Sequence, residues 1–184
     1  MSILEIIAAT MGVLSVWYAR KNNVLVFPTG IVSVLIYVYI TYSYQIYAEA
    51  GINIYYFLMS VYGWILWTSK NKRIKKRISK NNKSDNIIYL TFFIVLFFTL
   101  YLILNSTDSD VIFLDSITTA LSLTAMLLLA RRKLENWIYW IIADIIYIPL
   151  FIYKELYITS IQYFIFLVLA ISGYREWKKL LRNV

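Results

Sequence analysis

Apolar residues fall along this chain in long, nearly unbroken blocks, with short polar breaks between them. Seven blocks stand out: Ile3–Tyr18, Leu25–Tyr42, Ile52–Trp67, Ile87–Leu104, Ile112–Ala130, Ile138–Tyr153 and Ile158–Tyr174. A helix that crosses a bilayer needs about 20 mostly apolar residues, with a range of roughly 17–25. With their flanking aromatics all seven blocks reach that length. Strands of a membrane barrel would be about 10 residues long and would alternate with polar residues, and no such alternation occurs. The first block opens Met1-Ser2-Ile3-Leu4-Glu5 without a basic region, so it reads as a helix and not as a secretory signal. The pattern predicts an all-α integral membrane protein with seven transmembrane helices.

A shift of 110 residues lays the first third of the chain on the last. Ile31 meets Ile141, Ile36 meets Ile146, Tyr37 meets Tyr147 and Tyr47 meets Tyr157. Gly63-Trp64-Ile65-Leu66-Trp67 meets Gly173-Tyr174-Arg175-Glu176-Trp177. Matched Ile and Tyr carry little information in such a composition. Matched Gly and Trp carry more, because the chain holds only 5 Gly and 6 Trp. A repeat of this kind defines architecture. Each copy holds three spans, and the fourth restores the direction of the chain, so the copies lie parallel in a three-plus-one-plus-three plan. The divisions expected are a first bundle over 1–69, a basic loop over 70–85, a linker helix over 86–105 and a second bundle with a short tail over 106–184. Two such bundles can rock about a central site, as in small alternating-access transporters.

Charge sets the orientation. Seventeen of the 18 basic residues follow the odd-numbered spans: Arg20 and Lys21; Lys70, Lys72, Arg73, Lys75, Lys76, Arg77, Lys80 and Lys83; Arg131, Arg132 and Lys133; Arg175, Lys178, Lys179 and Arg182. Lys154 and the acids Glu5, Glu49, Asp108, Asp110, Asp115 and Glu155 fall on the opposite side. The positive-inside rule then places the amino end outside and the carboxyl end in the cytosol of an inner membrane. The basic run Lys70–Lys83 has a sharper reading, as a site for anionic lipid or nucleic acid. A solvated loop that fixes orientation accounts for it more simply, and no nucleic-acid partner is expected. Hydrophobic residues make up 61% of the 184 and charged ones 15%, against about 25% charged in soluble domains. That excludes a soluble domain. Cysteine and histidine are both absent, which excludes disulfides, zinc sites, Cys–His dyads and Ser–His–Asp triads. Neither an enzyme nor a bound cofactor or metal is expected.

Within the spans, residues three and four apart share a helix face. One face of the third span carries Asn53, Tyr56, Ser60, Trp64 and Trp67. One face of the sixth carries Trp137, Trp140, Asp144, Tyr147 and Phe151, and the seventh offers Gln162, Tyr163 and Phe166. Asp115, Thr118, Thr119 and Ser122 form a polar strip on the fifth, and Thr29, Ser33 and Tyr37 recur on the second. A carboxylate within a span costs roughly 2.5–3.5 kcal/mol on insertion scales, which makes Asp144 an interior or cavity residue. Three roles are open to it: binding a cationic or hydroxyl-rich substrate, pairing with a Tyr or Asn, or carrying a proton. Trp17, Trp67 and Trp177 end their helices on the basic side and read as interfacial anchors. Trp140 lies deeper, on the Asp144 face. A Trp stacked near a carboxylate, with amides such as Asn53 and Gln162 to meet hydroxyls, suits a small flat aromatic cation. Pro28, near the start of the second span, and Pro149, late in the sixth, are candidate hinges.

Those residues, in order, carry a resemblance. Pro28-Thr29-Gly30-Ile31, Ile46-Tyr47-Ala48, Asn53-x-x-Tyr56 and Tyr62-Gly63-Trp64-x-x-Trp67 are followed by Asn136-Trp137-x-x-Trp140-x-x-x-Asp144, Leu156-Tyr157-x-Thr159 and Gly173-Tyr174-x-x-Trp177. The set resembles the PnuC family of bacterial vitamin transporters over nearly the whole chain, least clearly in the fourth span and the basic loop. The resemblance implies a fold similar to the SWEET sugar transporters. It implies uptake of nicotinamide riboside by facilitated diffusion, a homotrimer, and a cytosolic kinase that traps the product. Relatives of the same appearance carry thiamine or riboflavin. Under this reading Asn53, Tyr56, Ser60, Trp64, Trp137, Trp140, Asp144, Tyr147, Gln162, Tyr163 and Phe166 bind the vitamin.

Overall fold

The computed structural model describes residues 3–71, 76–105 and 111–182. Each apolar block is one helix: α1 (Ile3–Arg20), α2 (Val26–Ser43), α3 (Tyr47–Thr68), α4 (Lys83–Leu104), α5 (Ile112–Ala130), α6 (Asn136–Tyr153) and α7 (Tyr157–Arg182). Among the described residues the only extended pairing is a single bridge between Ser79 and Lys133. The basic residues Lys72, Arg73 and Lys75 and the acids Asp108 and Asp110 lie outside the described residues.

Hydropathy sets the helix count apart from the span count. Six of the described helices are long and apolar enough to cross a membrane, and α3 is not one of them. This corrects the expectation that all seven blocks qualify by composition. The 22 residues of α3 give it a length of about 33 Å at 1.5 Å per residue. Its apolarity is diluted by Glu49, Asn53 and Ser60, and the last two of these turn toward the protein interior. α7 runs two turns past the apolar block, because Arg175–Arg182 is built of good helix formers that carry it out of the apolar layer. α4 starts early for a local reason. Asn82 accepts a hydrogen bond from the Asp85 N–H at 2.7 Å, and Asp85 accepts one from the Asn82 N–H at 3.2 Å. This capping box satisfies two otherwise orphaned donors. Asn82→Ala is expected to cost about 1 kcal/mol, read as a fall of roughly 2–4 °C in the thermal midpoint in detergent.

The packing order is a closed ring. α1 packs on α2, α2 on α3, α3 on α5, α5 on α6, α6 on α7 and α7 back on α1. α4 stands outside the ring and packs mainly against α5, with Phe93 meeting Tyr139 of α6 edge-on at 6.4 Å. Its outward residues, including Ile87, Leu90, Val95, Phe98 and Leu102, are exposed, as a lipid-facing helix requires. The ring has two seams between α1–α3 and α5–α7, one where α3 meets α5 and one where α7 meets α1.

Local features recur 110 residues apart. Asn22 and Arg132 have φ of 52° and 54°, and Gln45 and Glu155 have φ of 61° and 59°. Each ends a helix in the left-handed conformation that lets two N–H groups reach back to the last carbonyls. Asn22 N–H donates to Ala19 O and Asn23 N–H to Tyr18 O, while Arg132 N–H donates to Leu129 O and Lys133 N–H to Leu128 O, all at 2.9–3.0 Å. Phe27 covers Gly63 as Trp137 covers Gly173. Pro28 stands in the first turn of α2, where a missing N–H leaves no helical bond unmade. Pro149 lies inside α6.

Candidate functional site

The ring encloses a cavity of about 450 Å³, within the range of small-molecule sites. Every ring helix reaches it through one helical stripe. α1 brings Gly12, Ser15, Val16 and Ala19; α2 brings Val26, Gly30, Ser33, Val34 and Tyr37; α3 brings Asn53, Tyr56 and Ser60. α5 brings Ser122, Met126 and Leu129; α6 brings Trp137, Trp140 and Asp144; α7 brings Thr159, Gln162, Tyr163, Phe166 and Ala170. α4 contributes nothing to the wall.

Asp144 is the one ionisable acid or base in this wall apart from tyrosine hydroxyls. Its side chain is almost fully buried, and among the described residues its carboxylate forms no salt bridge. No Lys or Arg lines the cavity. A buried carboxylate without a protein counter-ion is unfavourable in a low dielectric unless a cation comes to it. Beside it stands an aromatic wall. Tyr163 packs edge-on to Phe166 at 5.7 Å, with Tyr147 4.4 Å and Phe151 5.0 Å from its ring. Trp137 is buried, and its indole N–H has no hydrogen-bond partner among the described residues. Asn53 spends one amide N–H on the Glu49 carbonyl at 2.9 Å, which orients the remaining amide.

The end of the cavity nearest the basic loops is stopped by four aromatic rings in series. Phe27 meets Trp67 edge-on at 4.9 Å, Trp67 lies 6.0 Å from Trp177, and Trp177 meets Trp137 edge-on at 5.6 Å. Trp67 and Trp177 are 3% and 0% exposed. The expectation that they anchor the membrane surface is therefore corrected. Each donates its indole N–H across a seam, Trp67 to Ala130 O at 3.1 Å and Trp177 to Ala19 O at 2.9 Å. The apolar helix ends that resemble an anchoring belt are instead core, packed behind Trp137, the one ring of the four that lines the cavity.

Of the residues grouped from sequence, Asn53, Tyr56, Ser60, Trp137, Trp140, Asp144, Gln162, Tyr163 and Phe166 come together around the cavity. Trp64 does not. It is 39% exposed on the outside of α3, because the stripe that holds Asn53, Tyr56 and Ser60 continues through Gly63 and Trp67. Tyr147 stands behind Tyr163, in reach of Ser122 Oγ at 3.5 Å, and is not in the wall. Ser15, Ser33, Tyr37, Ser122 and Thr159 also line the cavity and were not among the candidates. A signal for some of them exists in the sequence: Val26, Gly30, Ser33 and Tyr37 lie on one stripe of α2. Ser33 donates to the Ala8 carbonyl at 2.8 Å and Ser15 to the Val26 carbonyl at 2.7 Å, bonds that draw α1 and α2 together.

Comparison with known proteins agrees with this architecture. The chain is 26% identical to the nicotinamide riboside transporter PnuC of Escherichia coli K12, over 96% of this chain and 85% of that protein. It is 24% identical to the transporter of the same name from Haemophilus influenzae, over 98% and 81%. A crystal structure of the vitamin B3 transporter PnuC superposes with a TM-score of 0.77 at 22% identity, covering 98% of this chain and 82% of that one, which shows that the fold is shared. The family model described as nicotinamide mononucleotide transporter matches residues 2–179. A chain matched over almost its full length, folded as membrane helices around a vitamin-sized cavity, belongs to the nicotinamide mononucleotide transporter family, a family of membrane transporters and not of enzymes.

Proposed function

We propose that this protein takes up nicotinamide riboside across the cytoplasmic membrane by facilitated diffusion. The observation that carries the reading is the cavity itself, aromatic on one side, with Asp144 as its lone charge and no basic residue in its wall. A pyridinium ring brings the cation that Asp144 lacks, the aromatic wall stacks it, and Asn53 and Gln162 meet the ribose hydroxyls. The same wall argues against a phosphorylated substrate. A nucleotide phosphate entering it would meet Asp144 and no Lys or Arg. Relatives named nicotinamide riboside transporters, similar over nearly the whole chain, point the same way.

In this reading α1–α3 and α5–α7 are parallel units of a three-plus-one-plus-three, SWEET-like plan and rock about the cavity, with Pro149 as a candidate hinge. The recurrence of helix ends and of ring-on-glycine contacts at a spacing of 110 supports it. The basic ends face the cytosol, the seven helices span, and the amino end lies outside. A cytosolic kinase traps the riboside, and three copies assemble. No group of acids suited to a coupling ion lies in the cavity, so the gradient of the vitamin alone drives uptake.

Counterflow in liposomes tests the proposal. Preloaded nicotinamide riboside should draw labelled riboside inward without a sodium or proton gradient, and nicotinamide mononucleotide should not compete. Thiamine, a flat cation of another shape, is the informative competitor. A need for an ion gradient would sink the uniport reading, and stronger competition by thiamine would change the substrate. Trp140→Ala is expected to weaken riboside binding roughly tenfold, the scale of a desolvated cation–π contact of about 1–2 kcal/mol, while gel-filtration behaviour stays unchanged.

A further inference from the structure

We infer that the vitamin leaves for the cytosol through the seam between α1 and α7, with Arg20 and Glu176 as its gate, while the seam between α3 and α5 stays closed as the pivot. This rests on the transport reading above.

The two seams start alike. Each is closed at its basic end by an indole N–H given to the last carbonyls of the facing helix. Around those bonds the two halves of the sequence differ. Arg132 and Asn22 occupy matching left-handed positions, but only Arg132 is long enough to reach across. Its guanidinium lies 3.9 Å over the Trp67 ring, and its Nη1 donates to Lys76 O at 2.8 Å. Burial pushes that guanidinium down to about 10, so it remains charged at neutral pH. Lys76 N–H is itself tied to Leu66 O at 3.0 Å.

The linker then runs across the turn between α5 and α6. Ser79 N–H donates to Arg132 O at 3.1 Å, Leu134 N–H to Ser79 O at 2.9 Å, and Asn81 N–H to a Glu135 carboxylate oxygen at 3.0 Å. Lys133 pairs with Asp85 at 2.7 Å at the start of α4, and α4 packs on α5. Deeper in the same seam, Tyr55 donates to Leu123 O at 3.0 Å. The matching position on α7 is Ile165, which points outward, 42% exposed. The α3–α5 seam is thus stitched along its depth and strapped by the chain.

Among the described residues the α1–α7 seam has no such strap. Asn22 is too short to cap Trp177, and its side-chain oxygen is buried without a hydrogen-bond partner among the described residues. Besides helix packing and the indole bond, the polar contact across this seam among the described residues is the ion pair of Arg20 Nε and Glu176 Oε1 at 3.2 Å, with side chains 24% and 37% exposed. A single partly exposed ion pair contributes little to stability. The cavity reaches both seams at matching positions, Ala19 and Ala170 here and Leu129 and Ser60 at the other, so the difference between the seams lies in the bonds across them. When two rigid bundles rock, the motion opens the weaker seam and pivots on the stronger one.

The chain has no cysteine, so single thiols can be placed at will. Ala19→Cys and Ala130→Cys are labelled with a membrane-impermeant maleimide from the basic side of inside-out vesicles. Ala19→Cys should react at least tenfold faster, and equal rates or the reverse order would overturn the assignment. In transport assays, oxidising an Arg20→Cys/Glu176→Cys pair should cut riboside uptake to below a tenth, with recovery on reduction. Oxidising a Ser79→Cys/Lys133→Cys pair should leave uptake within twofold. Uptake that survives the first cross-link, or is lost with the second, also overturns it. If the unmodified protein carries no riboside yet Ala19→Cys still reacts selectively, the transport reading fails and the seam assignment stands.

Discussion

Asp144→Asn is expected to weaken nicotinamide riboside binding by roughly tenfold to a hundredfold and, in the same protein, to raise the thermal midpoint. The two signs come from one cause. The carboxylate is buried in the cavity wall with no salt bridge among the described residues, so it is a cost to the empty protein. The cationic vitamin offsets that cost on binding, through interactions with a charged group worth about 1.5–3 kcal/mol. An amide of the same shape removes the cost and the attraction together. Titration calorimetry and thermal melts on one detergent preparation check both signs. Unchanged affinity would take Asp144 out of the ligand site. A fall in stability would show that Asp144 holds a structural partner.

Gly173→Ala should damage folding and binding together. A methyl group at Gly173 would lie 2.6–2.8 Å from three ring atoms of Trp137, closer than nonbonded carbons approach. Trp137 cannot yield freely, since it is buried and packed edge-on against Trp177. Overpacking of this kind costs about 1–3 kcal/mol. What relief there is moves the Trp137 ring, which is part of the cavity wall. A lower thermal midpoint with at least tenfold weaker riboside binding is the expected pair of results. Gly63→Ala should lower stability by a similar amount, because Phe27 Cζ would lie 2.7 Å and the Ala130 backbone 3.1 Å from the new methyl. Phe27 is not in the wall, so binding should change less. A Gly173→Ala protein with the melting and binding of the parent would mean that Trp137 has room the structure does not show.

The matched glycines illustrate how far a sequence can be read. Gly63 and Gly173 were visible as rare residues in register, but their purpose was not. Only packing places Phe27 over one and Trp137 over the other, residues of different chemistry at matching positions. The stripe Trp137, Trp140, Asp144 was legible because a carboxylate and two indoles at helical spacing on an apolar helix have few places to go. Trp64 was misplaced because Ser60, Trp64 and Trp67 all fit one face within the angular tolerance of helical spacing. Glycine 63 decides which way that face turns.

From local properties alone the sequence determined seven helices, most of their ends to within a few residues, the 110-residue repeat and the polar residues that lipid should not meet. Run length, helix-ending residues and the cost of a charge in hydrocarbon act within one segment, so they can be read without neighbours. The tertiary structure alone decided which apolar faces meet lipid and which meet protein. It made Trp67 and Trp177 the bars of two seams instead of surface anchors, brought Ser15, Ser33 and Ser122 to the cavity, and strapped one seam while leaving the other to an ion pair. The reason is that lipid tails are as apolar as leucine: hydropathy separates water from the membrane but is blind to the difference between membrane and protein.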